Sequence, residues 1–333
     1  MSIRDIGIDL GTTNTLIYQK SKGIVLNEPS VIAVDASDGH IIAVGSQAKE
    51  MLGRTHSGIK SVRPVTDGVI SDCESASIMV GQFIKKIMKT TSGLRPRALI
   101  GIPAGSTSLQ KSATIQAMKK AGIRIVKLIE EPMASAIGAG LCTDAPSGVM
   151  IIDIGGGTTQ VSVISLGGIV SSKTVRIGGD ILDEAIINYV KRKYSISSGL
   201  QSAQEIKHKI ATVSENTDSH CYNINGRNLT SGLPSGAQLN SSDIRKALIR
   251  HIYEIIDAVK TVLEKTPPEL AGDILSSGIM LTGGSSFIDG IDSLISEMTG
   301  MSVAMAESPL ESVALGLGKI LDDTKTSREV FKI

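Results

Sequence analysis

A chain of 333 residues, 41% hydrophobic and 20% charged, is too apolar to be a disordered polymer and long enough for two cores. With 34 Lys and Arg against 33 Asp and Glu, its net charge of +1 gives no ground for binding nucleic acid or an anionic membrane through bulk charge, and three Phe, five Tyr and no Trp exclude a base-stacking platform. Cys73, Cys142 and Cys221 form no C-x-x-C pair and five His are scattered, which argues against a disulfide framework or a zinc site and suits a reducing cytoplasm. The N-terminus has no apolar stretch of signal-peptide length, and no run of about 18 apolar residues suggests a transmembrane helix.

From Ile6 to Val44 the pattern predicts strands: a hairpin around Gly11, then 23–26, 31–34 and 41–44, followed by a short helix over 46–53 ended by Gly53. Val80, Phe83, Ile84, Ile87 and Met88 recur at helical spacing within 74–91, and the lysines opposite them form a solvated face or, on a second reading, a polymer contact. A strand over 97–103, a helix over 108–121 and a strand over 125–129 lead to Glu130, Glu131 and Pro132, then to a small-residue helix over 133–141. The turn-rich stretch 144–148 marks a lobe boundary, giving a first lobe over 1–145 and a second over 146–307. Beyond it, a strand ends at Asp153, Leu182 to Val190 mark a helix, and Ser202 with Glu205 reads as a capping box opening another. Residues 214–240 read as an irregular smaller subdomain with strand-like Tyr222 to Ile224, and 244–263 as the longest helix. Ser308, Pro309 and Glu311 read as the start of a last helix over 308–322 that completes the first lobe; the tail after Asp322 reads as disordered. Alternating strands and helices in both halves predict an α/β fold with a ligand cleft between lobes, and small subdomains inserted at about 33–66 and 181–243.

Two stretches echo each other 144 positions apart: Asp9, Gly11, Thr12, Thr13 and Asn14, and Asp153, Gly155, Gly156, Gly157, Thr158 and Thr159. Each is an apolar strand ending in Asp, then a Gly/Thr turn, then renewed hydrophobic residues. Gly lets backbone N–H groups converge on an anion, and Thr and Asn add donors, so such a turn can cradle phosphate. An Asp at each strand end would repel phosphate unless a cation lay between, which points to Mg²⁺ held through water by Asp9 and Asp153. Taken singly, each turn reads rather as an ordinary hairpin turn; the repetition reverses that and favours the ligand.

A third turn, Thr282, Gly283, Gly284, Ser285 and Ser286, follows another apolar strand. Three such turns in this order resemble the actin, heat-shock chaperone and sugar kinase ATPase superfamily. Within it, Gly23 to Val31, Arg63-Pro64 with Asp67 to Ile70, Leu128 to Met133, Ile164 to Gly168, Arg176 to Asp180 and Pro267 to Ala271 resemble the MreB/Mbl family of bacterial actin homologues over nearly the whole chain. The resemblance implies an actin-like ATPase fold of two pseudo-duplicated lobes, each a mixed sheet flanked by helices, with ATP or ADP in the cleft. It adds Gly179 and Asp180 to the nucleotide site and places Gln204, Glu205, Ile206 and Lys207, with Gly283 to Ser286, around the adenosine; Glu205 reads equally as a helix cap. It places a water-activating acid in the Glu130-Glu131 dipeptide, Glu131 preferred, beside Thr158 and Gln160. Relatives usually carry an acid where Gln160 stands. Because an amide orients water but accepts no proton, the expectation is slow hydrolysis and long-lived ATP-state filaments.

The family further implies paired protofilaments of the chain itself, on the inner membrane surface, guiding cell-wall synthesis and rod shape with inner-membrane lipid and cell-wall elongation proteins as partners. The loop 90–97 offers only Leu94 for lipid, about 1.5–3 kcal/mol per chain, which counts only when multiplied along a filament. Two alternatives stay open: a soluble filament positioning an organelle or plasmid, and a non-polymerising ATPase acting as a chaperone. The chaperone reading needs a substrate-binding domain after the ATPase, which this sequence is not expected to hold.

Overall fold

The computed structural model describes residues 5–52, 58–88, 95–215 and 220–331. Two five-stranded mixed sheets dominate it. In the first, the order is Ile125–Glu130, Arg97–Ile102, Asp5–Leu10, Asn14–Gln19 and Gly23–Pro29. In the second it is Val303–Met305, Ile279–Thr282, Val149–Ile154, Thr159–Ser165 and Gly168–Val175. In both, the strand carrying the key Asp pairs antiparallel with its hairpin partner and parallel with a later strand, so the sequence echo is also a topological one.

Burial follows from this layering. Every residue of Thr159–Ser165 is buried, whereas Gly168–Val175 at the sheet edge alternates exposed and half-buried positions. The helix Ser241–Glu264 is capped by Asn240, whose side chain accepts the Asp243 N–H, and buries Ile244, Leu248, Ile252, Ile255, Ile256, Val259 and Val262 at helical spacing against the second sheet. Cys73–Ile87 does the same for the first sheet with Met79, Val80 and Phe83.

Between the sheets lie two short helices, Glu131–Gly138 and Ser312–Asp322, which make the most extensive helix-helix contact of the fold. Leu99, Ala134, Val313, Leu317 and Leu321 pack them onto the first sheet; Ala136, Ile151 and Ile164 join the former to the second. They cross backbone to backbone. A Cβ on Gly138 would lie 1.8 Å from the Ser312 carbonyl oxygen, and one on Gly316 would lie 1.8 Å from that of Ala134. On its outer side Gly318 leaves room for the Tyr18 ring, which a Cβ at that position would meet at 2.4 Å.

Several local expectations give way to tertiary structure. The helix holding Ser202 opens at Leu200 with Gly199 as its cap residue, so Ser202 sits inside the first turn and forms no capping box. Ser308 makes no side-chain cap either; Pro309–Glu311 is a 3-10 turn, and the Ser312 hydroxyl donates to the Ser308 carbonyl at 2.9 Å. Glu131–Gly138 starts two residues earlier than its apolar pattern suggests, because Pro132 fits the first helical turn. The strand-like stretch Tyr222 to Ile224 lies within the strand Cys221–Asn228, which pairs with Pro234–Asn240 as a hairpin where the rest of the segment is expected to be irregular. Through residue 331 the tail is structured: Asp323 accepts the Lys325 and Thr326 N–H groups, Thr324–Val330 is helical, and Phe331 is buried with its ring 4.4 Å from the Arg97 guanidinium. The short helix near residue 50 spans Ser46–Met51; Gly53 and Leu94 lie outside the described residues.

Gly316→Ala should drive its new methyl into the Ala134 carbonyl and cost about 1–3 kcal/mol, lowering the urea midpoint. Gly272→Ala, in a helix with open space at that position, should be neutral or stabilising by up to about 1 kcal/mol. Equal midpoints for the two variants would show that the helix crossing is not tightly packed.

Candidate functional site

The two Gly/Thr turns face each other across the cleft. A Cβ on Gly156 would lie 1.9 Å from the Thr13 hydroxyl oxygen, and one on Gly157 would lie 2.6 Å from that of Thr12, so no side chain fits at either glycine. The second turn is held from behind: Gly155 N–H donates to Thr158 O at 2.8 Å, Gly179 N–H to Gly155 O at 3.0 Å, and Asp180 N–H to Gly156 O at 2.8 Å. The start of the helix Gly179–Tyr194 thus satisfies the Gly155 and Gly156 carbonyls. The Ser285 hydroxyl donates to Gly155 O at 3.0 Å, and Gly283, at φ +88°, abuts the Ile154 carbonyl where a Cβ would come within 2.4 Å.

These turns line a cavity of about 220 Å³ between the lobes. Around it stand Asp9, Gly11, Thr12, Thr13, Asn14, Glu131, Asp153, Gly155, Gly156, Gly157, Thr158, Gln160, Gly179, Asp180, Gln204, Lys207, Gly283, Gly284 and Ser285. Four expected residues stand elsewhere. Glu130 is the residue before the helix Glu131–Gly138, and Glu205 points outward to accept the Tyr222 hydroxyl at 2.9 Å. Ile206 is in the second-lobe core, and the Ser286 hydroxyl turns back to Gly283 O. A neighbouring cavity of about 290 Å³ continues past Lys207, Gly284 and Ser285 toward Ile210 and Phe287.

The sequence reading missed Lys49, Gly68, Asp183, His208, Leu310 and Val313 on the cavity wall. Asp183 had a local signal, one helical turn beyond Asp180. It is fully buried with Oδ1 2.8 Å from Lys207 Nζ, which also donates to Gly179 O at 2.8 Å, so a hidden carboxylate fixes the lysine at the cavity wall. Lys49 comes from the short helix Ser46–Met51, and no motif marks it.

Electrostatically the floor is strongly acidic. Burial and the Asp153 carboxylate push Asp9 up to about 7. Burial pushes Asp153 up to about 6 although the Ser135 and Thr282 hydroxyls oppose it; Ser135 Oγ donates to Asp153 Oδ2 at 3.1 Å. Burial, with Asp9 and Asp153, raises Glu131 well above the usual carboxylate range, against a hydrogen bond from the Gln160 amide. Buried Glu131 beside half-buried Asp9 and Asp153 calls for positive charge from a ligand. Hard carboxylate oxygens suit Mg²⁺, and among the described residues no three His, Cys, Asp or Glu side chains gather closely enough to hold a metal alone. Asp9 and Asp153 would therefore share such an ion with water and phosphate oxygens.

Comparisons with known proteins agree with this geometry. The family model described as MreB/Mbl protein matches residues 3–329. The cell shape-determining protein Mbl of Bacillus subtilis (strain 168) is 45% identical over 323 residues, 97% of each chain. The cell shape-determining protein MreB of Escherichia coli (strain K12) is 48% identical over 328 residues, 97% of this chain and 94% of that one. The crystal structure of MreB 5 of Spiroplasma citri bound to AMPPNP superposes with a TM-score of 0.93 at 36% identity, covering 99% of this chain and 98% of that one. With two mirrored sheets, facing turns and an acidic floor in the cleft between them, the chain belongs to the MreB/Mbl family of actin-like proteins.

Proposed function

We propose that this chain is an ATP-dependent, filament-forming cytoskeletal protein that guides cell-wall synthesis and rod shape at the inner surface of the membrane. The observation that carries the nucleotide reading is the pair of Gly/Thr turns closing on one cavity above Asp9, Glu131 and Asp153. The cellular reading rests on relatives named cell shape-determining proteins that align over nearly their full length. Among the described residues no helix is long and apolar enough to cross a membrane, so lipid contact would be peripheral. Sedimentation and electron microscopy at micromolar concentration, with Mg²⁺ and ATP and with or without anionic liposomes, test this directly. Paired filaments on liposomes are expected; filaments that ignore lipid would favour a soluble organiser, and none with any nucleotide would end the cytoskeletal reading.

Within the site, the β- and γ-phosphates would lie against the N–H groups of residues 11–14 and 155–158, with Lys207 near the nucleoside. Mg²⁺ bound through Asp9 and Asp153 would neutralise charge on the phosphates. Glu131, opposite them, would take the proton of the attacking water. Glu131→Ala should bind ATP as before and lose most hydrolysis; undiminished phosphate release would take Glu131 out of the reaction.

Asp9 and Asp153 titrate near 7 and 6 in the fold and near 4 when unfolded, so between those values the folded chain holds more protons than the unfolded one. Stability of the metal-free, nucleotide-free protein should therefore fall as pH rises from about 4 to about 7. Thermal unfolding in chelator is expected to show this slope, with Asp9→Asn flattening it and Mg²⁺ with ATP abolishing it. A slope identical in wild type and Asp9→Asn would place its origin elsewhere.

A further inference from the structure

Gln160 lies in the second sheet, paired across the ladder with Asp153, and is almost fully buried. Neither end of its amide faces open space. Its Oε1 accepts the Ala104 N–H at 2.9 Å, and its Nε2 donates to Glu131 Oε2. Both partners belong to the other side of the cleft: Ala104 follows the strand Arg97–Ile102 of the first sheet, and Glu131 follows Ile125–Glu130 of the same sheet. The orientation is chemically forced. A backbone N–H can only donate, so the amide oxygen must face Ala104, and the NH₂ group is left for the carboxylate.

Other polar ties span the cleft nearer its rim: Arg63 to Asp180 at 2.8 Å, Arg176 to Asp67 at 3.6 Å, and Gln201 Nε2 to the Lys49 carbonyl at 3.3 Å. Gln160 is the one named here that ends on the acid itself. A rotation of the lobes that parted these groups by about 1 Å would break both hydrogen bonds of the amide and free the Glu131 side chain.

We propose that Gln160 is a positioning residue that couples cleft closure to Glu131, locking the acid in place only when the two lobes are together. This rests on the ATPase reading above, with Glu131 as the group that touches the attacking water. In it, Gln160 acts through the acid, and the Ala104 N–H is the fixed point that aims the amide.

The test pairs hydrogen exchange at the Ala104 amide with phosphate release, in wild type, Gln160→Met and Gln160→Asn. Met fills the same space without hydrogen bonds; Asn keeps the amide but is one methylene too short to reach both partners. In the wild type, Ala104 should be protected from exchange, and more so with a non-hydrolysable ATP analogue bound. In both variants that protection should vanish while nucleotide affinity stays within about twofold and phosphate release falls about 10- to 100-fold. In a Glu131→Ala background, adding Gln160→Met should slow release no further, because a residue acting through the acid has nothing left to position. Unchanged Ala104 exchange in the variants, exchange in the wild type indifferent to the analogue, or losses that multiply in the double variant would each overturn the proposal. Should the wild type release no phosphate, the ATPase reading fails, and the exchange measurements alone decide whether Gln160 senses closure.

Discussion

The contact on which this structure depends is the backbone crossing of Glu131–Gly138 and Ser312–Asp322 at Gly138 and Gly316. No side chain separates the two helices there, so their axes lie as near as polypeptide allows. Because one helix follows directly from the first sheet and also packs on the second, that approach sets how far apart the sheets stand. It thereby sets the distance across the cleft. Asp9 and Asp153, at the ends of equivalent strands, converge on Glu131 because the helix that begins with Glu131 is the spacer between them.

The cluster so formed is electrostatically unfavourable by itself. Loss of hydration raises the proton affinity of all three carboxylates, and repulsion from Asp153 adds to it at Asp9, as repulsion from Asp9 and Asp153 does at Glu131. Such a site has unfavourable energy in reserve for a cation and its phosphates, whose binding relieves it. The glycines of the two facing turns serve the same end sterically. Side chains at Gly156 or Gly157 would collide with the opposite turn, and the backbone N–H groups would be held away from an anion.

Rigidity is unevenly shared. The sheets and the helix crossing bury apolar side chains and bring backbones together, whereas the lobes also meet through a few polar contacts: Arg63 with Asp180, Arg176 with Asp67, Gln201 with Lys49. The Arg176 pair is largely exposed, and such pairs are worth little individually in water. Lobes joined by a helix crossing and a few polar contacts are an arrangement in which a ligand touching both can bias their relative position.

Much of this was legible in the sequence, for a physical reason. Phosphate-cradling turns need Gly, Thr and a strand-end Asp within a few consecutive residues, so Asp9 to Asn14 and Asp153 to Thr159 disclose themselves locally, and their repetition announces the paired sheets. Local patterns misled where a neighbouring segment competes: Ser202 and Ser308 have the chemistry of caps, but chain entry from Gly199 and the 3-10 turn at Pro309 leave them none to make. The tail after Asp322 reads as disordered until the Arg97 and Phe331 contact is known. What the sequence by itself determined were the strand-turn-strand units, their glycines and their acids, because those obey short-range sterics and charge. Tertiary structure alone decided that Lys49 reaches the cleft, that Asp183 anchors Lys207, and that Gln160 meets Ala104 and Glu131. Those contacts join residues tens of positions apart, and their distances exist only once the helix crossing has fixed one sheet against the other.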